Sequence, residues 1–561
     1  MSLREAPGPE PESEPQPDPQ PPSGARKPEN NTRRAAGIVG IAVIASRFFG
    51  LIREQVFAAM FGAGKLLDAY NAAFQIPNLL RDLFAEGALS TAFTTLFTRT
   101  WDREGPAPAW QLANLIVSAM LFFLGTLCLL GIVAAPLIVT LTNPGFHHFA
   151  GKFELTVHLT QVLFPFILFV SLAAVVMGML NARFLFGLPA SASTVFNIVS
   201  VVGGVAGAYL LDPTARADWL HPKFTERALF GVCLGVLAGG LAQLAVQLPA
   251  LVKLGYRFRW HLALKDPRLL EVWQLMWPSV IAGAAVQVNV LVNGVFASEI
   301  DGGRSWLNCA FRLMQFPIGV FGVSIATATL PSISRHFARN DLPAFGKTVR
   351  ESLRLAWFLT LPAAVGLGVL ARPIIALIYQ HGHFTAHDTA QTALALQAYS
   401  IGLAGYAAIK VLVPCFYALG LPKTPLRISL LGIGFNVVLN FCLMRLFGMG
   451  HAGLALTTSC VALLNFGQLT AALSKKIDTG TFREWASYLA RVLAAAALCG
   501  DTAWFLNGLV ERYVPTGLLR ALGLLWAIGI SAAVYGGASL AFRIEETHQA
   551  WGMIRRRLFK K

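Results

Sequence analysis

Residues 46–93 read SRFFGLIREQVFAAMFGAGKLLDAYNAAFQIPNLLRDLFAEGALSTAF. This stretch is mostly apolar and looks like two lipid-embedded helices, yet it carries Arg47, Arg53 and Arg81, and a later apolar stretch carries Arg312. A cation near the bilayer centre costs roughly 2.5–3.5 kcal/mol, so four facing lipid would cost on the order of 10–14 kcal/mol. The sequence therefore predicts a polar chamber inside the membrane. A chamber lined with guanidinium groups favours an anionic cargo.

The composition of the whole chain fits this interpretation. Of its 561 residues, 55% are hydrophobic and 13% are charged, which excludes an ordinary water-soluble protein. The net charge is +16, but the basic residues cluster in short loops between apolar runs. This pattern is typical of a polytopic membrane protein beside anionic lipid, so we expect membrane lipid and no nucleic acid as a partner.

Fourteen apolar segments are long enough to cross a bilayer, which predicts an all-α polytopic membrane protein with about 14 transmembrane helices. In chain order, segments 1 to 14 cover residues 36–61, 68–99, 109–142, 154–181, 187–211, 227–252, 269–298, 304–337, 348–379, 388–419, 425–447, 450–474, 484–507 and 515–542.

The two ends of the chain are predicted to lie in the cytoplasm. Residues 1–34 form a Pro/Glu-rich tail that cannot bury a core and is expected to be disordered. The tail ends in basic residues, and residues 544–561 form a second, basic tail. With this orientation the cytoplasmic parts hold about 28 Lys and Arg and the external loops about nine, a clear positive-inside bias.

A faint internal repeat divides the chain. Segment 2 contains NAAF at Asn71–Phe74, and segment 8 contains NCAF at Asn308–Phe311, an offset of 237 residues (308 minus 71). We therefore predict an N-lobe over 35–255 with segments 1–6 and a C-lobe over 256–478 with segments 7–12. Residues 479–543 add segments 13 and 14. A site between two related bundles is a common transporter design.

The embedded arginines are the candidate anion-binding residues. Arg47 and Arg53 point about 120° apart on a straight helix, and both can line one wide cavity if Gly50 bends it. Arg81 follows Pro77 by one turn, and Arg312 precedes Pro317. Since proline breaks the helical hydrogen-bond ladder, Gly50, Pro77 and Pro317 are predicted hinges.

Structural interpretations of the same residues remain open. Glu54, Asp82 and Glu86 could neutralise the arginines as internal ion pairs, and Asp68 could simply cap segment 2. Asn436 and Asn440, one turn apart, form either a sodium site or an interhelical hydrogen bond, and the lack of a carboxylate favours the latter.

No set of residues predicts a metal site or catalysis. The pairs His147-His148 and His381/His383 lack the further ligands a metal needs. No clustered carboxylates and no phosphate-binding loop suggest an enzyme or an ATPase, so we expect no catalytic residues and no cofactor.

Three blocks resemble the MurJ/MviN family. They are residues 46–93, FRLMQFPIGVFGVSIATATLPSIS at 311–334 and GHFTAHDTAQTALALQAYSIGL at 382–403. The resemblance runs from about residue 36 to the end. It implies two six-helix lobes around a central cationic cavity, plus two C-terminal helices that bound a lipid groove. It also implies flipping of lipid II, the undecaprenyl-diphosphate-linked peptidoglycan precursor, across the bacterial inner membrane.

The resemblance carries site residues over by position. The family's substrate-binding positions fall on Ser46, Arg47, Arg53, Asp68, Asn78, Ser305 and Arg312, with Arg81 as a further candidate. The chain departs from the family pattern at Asp82, where many members have Arg, and at Phe311 and Gln315, where members often have an acidic residue. These departures leave the charge balance of the cavity open.

The implied mechanism is alternating access, with the arginines neutralising the diphosphate. Either the membrane potential or a monovalent cation could drive it. One competing hypothesis is a flippase for another polyprenyl-diphosphate glycan. A drug exporter is disfavoured because the cavity is cationic. A membrane enzyme and a scaffold that binds cell-wall synthesis proteins through the N-terminal tail are the remaining alternatives.

Overall fold

The computed structural model describes residues 28–83, 90–218, 222–515 and 517–547. Within these ranges the secondary structure is entirely helical. The helices are α1 Pro28–Phe61, α2 Lys65–Arg81, α3 Ser90–Glu104, α4 Pro106–Val133, α5 Ala135–Thr142, α6 Lys152–Leu163, α7 Phe166–Ala182, α8 Gly187–Leu211, α9 Pro213–Ala217, α10 Glu226–Ala245, α11 Leu248–Lys253, α12 Pro267–Ala297, α13 Gly303–Pro317, α14 Val323–Ala338, α15 Leu342–Val369, α16 Ala371–Tyr379, α17 Ala386–Ala418, α18 Lys423–Phe441, α19 Gly450–Ser474, α20 Phe482–Tyr513 and α21 Leu518–Ala541.

Within the described residues, every predicted segment coincides with helix. Segments 5 and 12 match α8 and α19 residue for residue. Segments 3, 4, 6 and 9 are each interrupted, and in the first three a proline lies at or just after the break: Pro136, Pro165 and Pro249. Proline suits a helix start, where its missing N–H is not needed, which explains why these three apolar runs restart there.

Eleven described helices are long and apolar enough to cross a membrane, and they correspond to segments 3–6 and 8–14. The confirmed fold class is therefore an all-α polytopic membrane protein. Segment 2, predicted as one span over 68–99, appears as α2 and α3, with residues 84–89 outside the described ranges. Glu86, a candidate ion-pair partner, is one of these six residues. Most of the N-terminal tail and most of the basic C-terminal tail also lie outside the described ranges.

Loops at one end of the bundle, here called the far face, pack against one another. The far face comprises residues 62–64, 143–151, 212–218, 222–225, 298–302, 380–385 and 447–449. The backbone N–H of Gly145 donates to Ser298 Oγ (3.0 Å), and that of His383 donates to the carbonyl of Ala59 (2.8 Å). The opposite end, which holds residues 254–266, 339–341 and 475–481, is called the near face.

One far-face loop is stabilised by a capping carboxylate. Asp212 accepts hydrogen bonds from the backbone and hydroxyl groups of Thr214 and Thr225, at 2.6–3.0 Å. Burial raises the pKa of Asp212, but these four bonds outweigh it and hold the pKa at about 2, below the ordinary 3.8. The contribution to stability is therefore complete above pH 3.8 and is lost only as the pH falls through about 2.

The apolar packing shows which end of the lobe interface is closed. One hydrophobic core spans both lobes toward the far face, and it joins Phe57, Tyr70 and Leu159 to Leu307, Met314 and Tyr379. Toward the near face the lobes have separate cores, one around Phe93 and Phe97 and the other around Phe345 and Phe416. The two lobes are therefore sealed on the far side and packed independently on the near side.

Helix α12 connects the two lobes. In its first half Val272 and Met276 belong to the near-face core of the N-lobe, and Glu271 pairs with Arg99 of α3 (2.9 Å). In its second half Asn293 contacts Asn440 and Thr458 of the C-lobe. The predicted boundary at residues 255/256 assigns α12 to the C-lobe, whereas its packing is divided between the lobes.

Within the N-lobe, α8 and α10 make an unusually close contact. Gly203, Gly204 and Gly207 of α8 face Gly231 and Gly235 of α10, and a Cβ added to Gly231 or Gly235 would overlap the backbone of α8. Small residues four apart allow helix backbones to approach closely in a membrane. Here they fix the distance between two N-lobe helices.

Replacing Gly235 by alanine is expected to separate α8 from α10, because the added methyl group has no room beside Gly204. Overpacking of this kind costs about 1–3 kcal/mol, so we expect a lower melting temperature in detergent. The matched control is Gly125→Ala on α4, where no atom lies within 4 Å of the added Cβ. Equal melting temperatures for both variants would contradict the tight contact.

Candidate functional site

Helices α1, α2 and α13 converge at the closed end of the lobe interface. They line a cavity with about 40 Å³ of room for water, bordered by residues that include Arg53, Glu54, Asn71, Asn308 and Arg312. A single buried water needs roughly 10–15 Å³ measured this way. The cavity therefore holds only a few waters in this conformation, and a larger headgroup requires the lobes to move.

Arg53 lies in this cavity as a buried cation that forms no ion pair with the described residues. The residue is 8% exposed, and its guanidinium lies over the rings of Phe74 (5.6 Å) and Phe196 (5.2 Å). Its Nη1 has no hydrogen-bond partner, and among the described side chains Arg53 forms no ion pair. Aromatic faces stabilise a cation by about 0.5–2 kcal/mol, well below the cost of burying an unpaired charge.

Arg312 forms an ion pair across the lobe interface with Glu54, the residue next to Arg53 in α1. The side chain of Arg312 is 44% exposed and that of Glu54 is 15% exposed. The second carboxylate oxygen of Glu54 is buried and accepts no hydrogen bond from the described residues. The pair neutralises one of the two cavity arginines and ties α1 of the N-lobe to α13 of the C-lobe.

This pair bears on the two departures in α13. Phe311 packs against the ring of Tyr399 (5.4 Å between centroids), and Gln315 is exposed. Neither supplies a carboxylate to Arg312, so Glu54 is the acid that balances it. With Glu54 engaged, Arg53 is the cavity cation that lacks a paired carboxylate within the described part of the chain.

Arg81 is neutralised by its sequence neighbour. Its Nη2 lies 2.7 Å from Asp82 Oδ1, and Gln287 of α12 donates to the other oxygen of Asp82 (3.5 Å). Asn78, one turn earlier, is half-buried, and its backbone carbonyl accepts the cap N–H of Asp82. Where many family members have a second arginine, this chain therefore has a carboxylate, Asp82, that pairs with Arg81.

Arg47 lies one and a half turns before Arg53, and its guanidinium is seated against Gly319. A Cβ at Gly319 would overlap this guanidinium, so the glycine provides its space. The neighbouring Ser46 uses its backbone carbonyl to accept a hydrogen bond from Asn197 of α8 (3.1 Å). A Cβ at Gly50 would lie in ordinary contact with the Asn197 side chain, at 3.6 Å.

Asp68 and Ser305 lie in a different cluster on the far face, here called the far-face lock. The lock consists of Asp68, Lys152, Asp301, Gly302 and Ser305. Asp68 is fully buried and accepts four hydrogen bonds: from Lys152 Nζ (2.7 Å), Gly302 N (2.8 Å), Ser305 N (2.8 Å) and Ser305 Oγ (2.6 Å). Lys152 also pairs with Asp301 (2.8 Å). The lock joins the lobes where the interface is sealed.

The internal repeat is visible in these contacts. Ser305 and Asp68 are 237 residues apart, and so are Asn308 and Asn71, whose side-chain amides are hydrogen-bonded (3.1 Å). The offset read from the sequence therefore pairs equivalent positions of α2 and α13 across the interface. Contact between equivalent residues is what a pseudo-two-fold axis between two lobes produces.

The structure gathers four of the eight predicted site residues into two clusters, and Ser46, Arg47, Asn78 and Arg81 belong to neither. Arg53 and Arg312 meet in the cavity with Glu54, while Asp68 and Ser305 meet in the lock. Lys152 and a second buried cation, Arg304, were not predicted. The repeat offset, applied to Asp68, would have indicated Ser305 as its partner, but nothing local in the sequence connects Lys152 with Asp68.

Of the three predicted hinges, one borders an irregular turn and two lie inside continuous helices. Pro317 ends α13 and is followed by a π-helical turn, Ile318–Gly322, before α14 begins. Pro77 lies inside α2, which continues to Arg81. Gly50 lies inside the continuous helix α1. Whether these positions bend during function stays a prediction.

The polar residues of the C-lobe form a hydrogen-bonded network. Asn440 Nδ2 donates to Asn436 Oδ1 (3.0 Å) and to Asn293 Oδ1 (2.8 Å), and Asn293 donates to Thr458 (3.2 Å). Asn440 therefore makes the expected interhelical hydrogen bond, to Asn293 of α12, whereas Asn436 accepts its hydrogen bond from Asn440 of its own helix. Across the described ranges, no group of three or more His, Cys, Asp or Glu could hold a metal ion.

Comparison with known proteins identifies the family. The family model described as lipid II flippase MurJ matches residues 57–523. A probable lipid II flippase MurJ of Vibrio cholerae is 33% identical over 509 residues, which cover 89% of this chain and 94% of that protein. Lipid II flippase MurJ of Burkholderia cenocepacia is 33% identical over 527 residues, covering 90% and 99%.

Solved structures agree on the fold. A lipid II flippase MurJ in an inward closed conformation superimposes with a TM-score of 0.72 at 23% identity, covering 90% of this chain and 98% of that one. An inward-facing multidrug transporter of the MATE family gives a TM-score of 0.64 at 13% identity, covering 77% and 96%. Together with the family match over most of its length, these results establish that the chain belongs to the MurJ family.

Proposed function

We propose that this protein flips lipid II, the undecaprenyl-diphosphate-linked peptidoglycan precursor, from the near face to the far face of the inner membrane by alternating access. The observation that carries the proposal is Arg53, a buried cation at the closed end of the lobe interface that pairs with no carboxylate of the described residues. A diphosphate supplies the charge that this site lacks. The relatives named lipid II flippase MurJ support the cargo.

The packing supports the proposed direction of transport. The lobes share one core on the far side and have separate cores on the near side, which supports entry of the cargo from the near face. The basic loops at the near face favour its assignment to the cytoplasm by the positive-inside rule. Both chain ends then lie in the cytoplasm, where lipid II is made.

The Glu54–Arg312 pair suggests how binding is coupled to movement. Glu54 belongs to the N-lobe and Arg312 to the C-lobe, so their ion pair holds the lobes together beside Arg53. A diphosphate bound to Arg53 competes with Glu54 for Arg312, because guanidinium binds phosphate oxygens bidentately. Exchange of Glu54 for the cargo releases this tie, and the lobes then move around the bound headgroup.

We propose that transport is coupled to the membrane potential. Carrying two net negative charges outward is favoured by roughly 4–5 kcal/mol at 100 mV, inside negative, without any cofactor. A monovalent cation is the alternative driving force. Transport measured after an ionophore has collapsed the potential distinguishes the two. Contact of the N-terminal tail with cell-wall synthesis proteins is also proposed, and deletion of residues 2–27 tests it.

Complementation is the decisive test of the cargo. We expect the chain to restore growth and externalised lipid II in a strain depleted of its own lipid II flippase. The second candidate cargo is another undecaprenyl-diphosphate glycan, which the same diphosphate site accommodates. Rescue of a strain lacking a flippase for such a glycan, with no rescue of the lipid II strain, would replace lipid II by that cargo.

A further inference from the structure

A second buried guanidinium, that of Arg304, lies outside the cavity that holds Arg53. Arg304 is in the first turn of α13 and is 7% exposed. Its Nη1 donates to Gln75 Oε1 of α2 (2.6 Å), whereas its Nε and Nη2 have no partner anywhere in the described ranges. A buried polar group without a partner is rare in folded proteins and requires an explanation.

The guanidinium occupies a space that the backbone leaves for it. A Cβ at Gly294 of α12 would overlap Nη2 of Arg304, and it would lie 3.6 Å from Gln75 Oε1. The group therefore lies in a crevice between α2, α12 and α13, at the interface of the lobes. Among the described residues its hydrogen-bond acceptor is a neutral amide from the opposite lobe.

The neighbouring carboxylates are already engaged. Both oxygens of Asp68 accept two hydrogen bonds each within the lock, and Asp301 pairs with Lys152 while its side chain is 54% exposed. Asp68 attracts Arg304 electrostatically but makes no hydrogen bond to it. The donors of Arg304 are thus available to an external anion once the crevice opens.

We propose that Arg304 is a second diphosphate-binding residue, which receives the cargo at the far-face end of the lobe interface when the lobes separate there. This inference rests on the proposed function. Gln75 and Arg304 belong to opposite lobes, so opening of the far face removes the one hydrogen bond and exposes all the guanidinium donors. Arg304, Asn308 and Arg312 are spaced by four residues on one side of α13, which provides a continuous polar path from the cavity.

The test separates transport from binding in the cavity. The full chain is reconstituted in liposomes, lipid II transport is followed, and binding of farnesyl diphosphate is measured in detergent for the wild type, R304Q, R304K and R53Q. We expect R304Q to slow transport by about tenfold or more, as for loss of a charge-assisted contact. We expect its affinity for farnesyl diphosphate to stay within about twofold, because Arg304 is sequestered in the closed far face. R304K, which keeps the charge, restores part of the rate.

Controls exclude a structural role. Arg99→Gln removes a cation from an exposed surface pair and should leave transport unchanged. Gln75→Leu removes the hydrogen bond but keeps the Arg304 cation, so it tests whether Arg304 only clamps the closed far face. Melting temperature serves as the folding check for R304Q, and R304K carries the comparison if R304Q is unstable.

The outcomes are distinguishable. Wild-type transport by R304Q, or a loss in Gln75→Leu equal to that in R304Q, would overturn this inference alone. Failure of the wild type to bind farnesyl diphosphate, or an unchanged affinity in R53Q, would instead count against the proposed function.

Discussion

Lys152→Met is expected to open the far face of the protein. The substitution removes the ammonium group 2.7 Å from Asp68 and leaves this fully buried carboxylate without its ion-pair partner. Breaking a buried pair by removing one partner costs about 3–5 kcal/mol. Asp68 also accepts hydrogen bonds from Gly302 and Ser305 of the other lobe, so it is buried only while the lobes are closed. The substitution therefore destabilises the closed state. Separation of the lobes lets water reach the carboxylate.

A shift of 3–5 kcal/mol changes the ratio of closed to open molecules by a factor of about 10²–10³ or more. The measurement is the distance between spin labels at His148 and His381, which are exposed on far-face loops of opposite lobes. We expect a single short distance in the wild type and a longer, dominant distance in Lys152→Met. Transport should fall as well, because the cycle needs both states.

Two further variants make this prediction specific. Asp301→Asn removes the other partner of Lys152, but the Asp301 side chain is 54% exposed, so we expect a change below about 1 kcal/mol. Asp68→Asn in the Lys152→Met background removes the stranded charge and should restore much of the short distance. An unchanged distance in Lys152→Met would mean that the lock does not hold the lobes together.

The sequence predicted the membrane helices well because their signal is local. A run of about twenty apolar residues can be recognised without knowing which segments pack against it, and α8 and α19 begin and end where the hydropathy changes. The interruptions at Pro136, Pro165 and Pro249 were not predicted, since proline at a helix start and proline within a span look alike in an apolar run. The division of α12 between the lobes depends on tertiary packing alone.

The site was predicted in part for the same reason. An arginine in an apolar segment is conspicuous, so Arg53 and Arg312 were found, and Glu54 was recognised as an available partner. What each arginine pairs with depends on contacts between distant segments. Asp68 meets Lys152 across 84 residues and Ser305 across 237, so the sequence could not separate a capping role from a binding role or an interlobe role.

Arg53→Gln is expected to abolish most transport while the protein remains as stable as the wild type. The guanidinium forms no ion pair with any described residue and lies over two phenylalanine rings in a site that is 8% exposed. Replacing an unpaired buried charge by a neutral side chain removes a desolvation cost, so the melting temperature should be unchanged or higher. Loss of charge-assisted contacts worth about 1.5–3 kcal/mol should slow lipid II externalisation by about 10- to 100-fold.

Arg312→Gln is the matched comparison, because it removes a cation from the same cavity but strands a carboxylate. Glu54 is 15% exposed and would lose its ion-pair partner, so this variant should be less stable than the wild type as well as slow in transport. Adding Glu54→Gln should restore the melting temperature without restoring transport.

If Arg53→Gln lowers the melting temperature as much as Arg312→Gln does, Arg53 supports the fold through its ring contacts. If Arg53→Gln transports at the wild-type rate at normal protein levels, Arg53 does not bind the diphosphate. Only stability combined with lost transport fits a cation kept unpaired for the cargo.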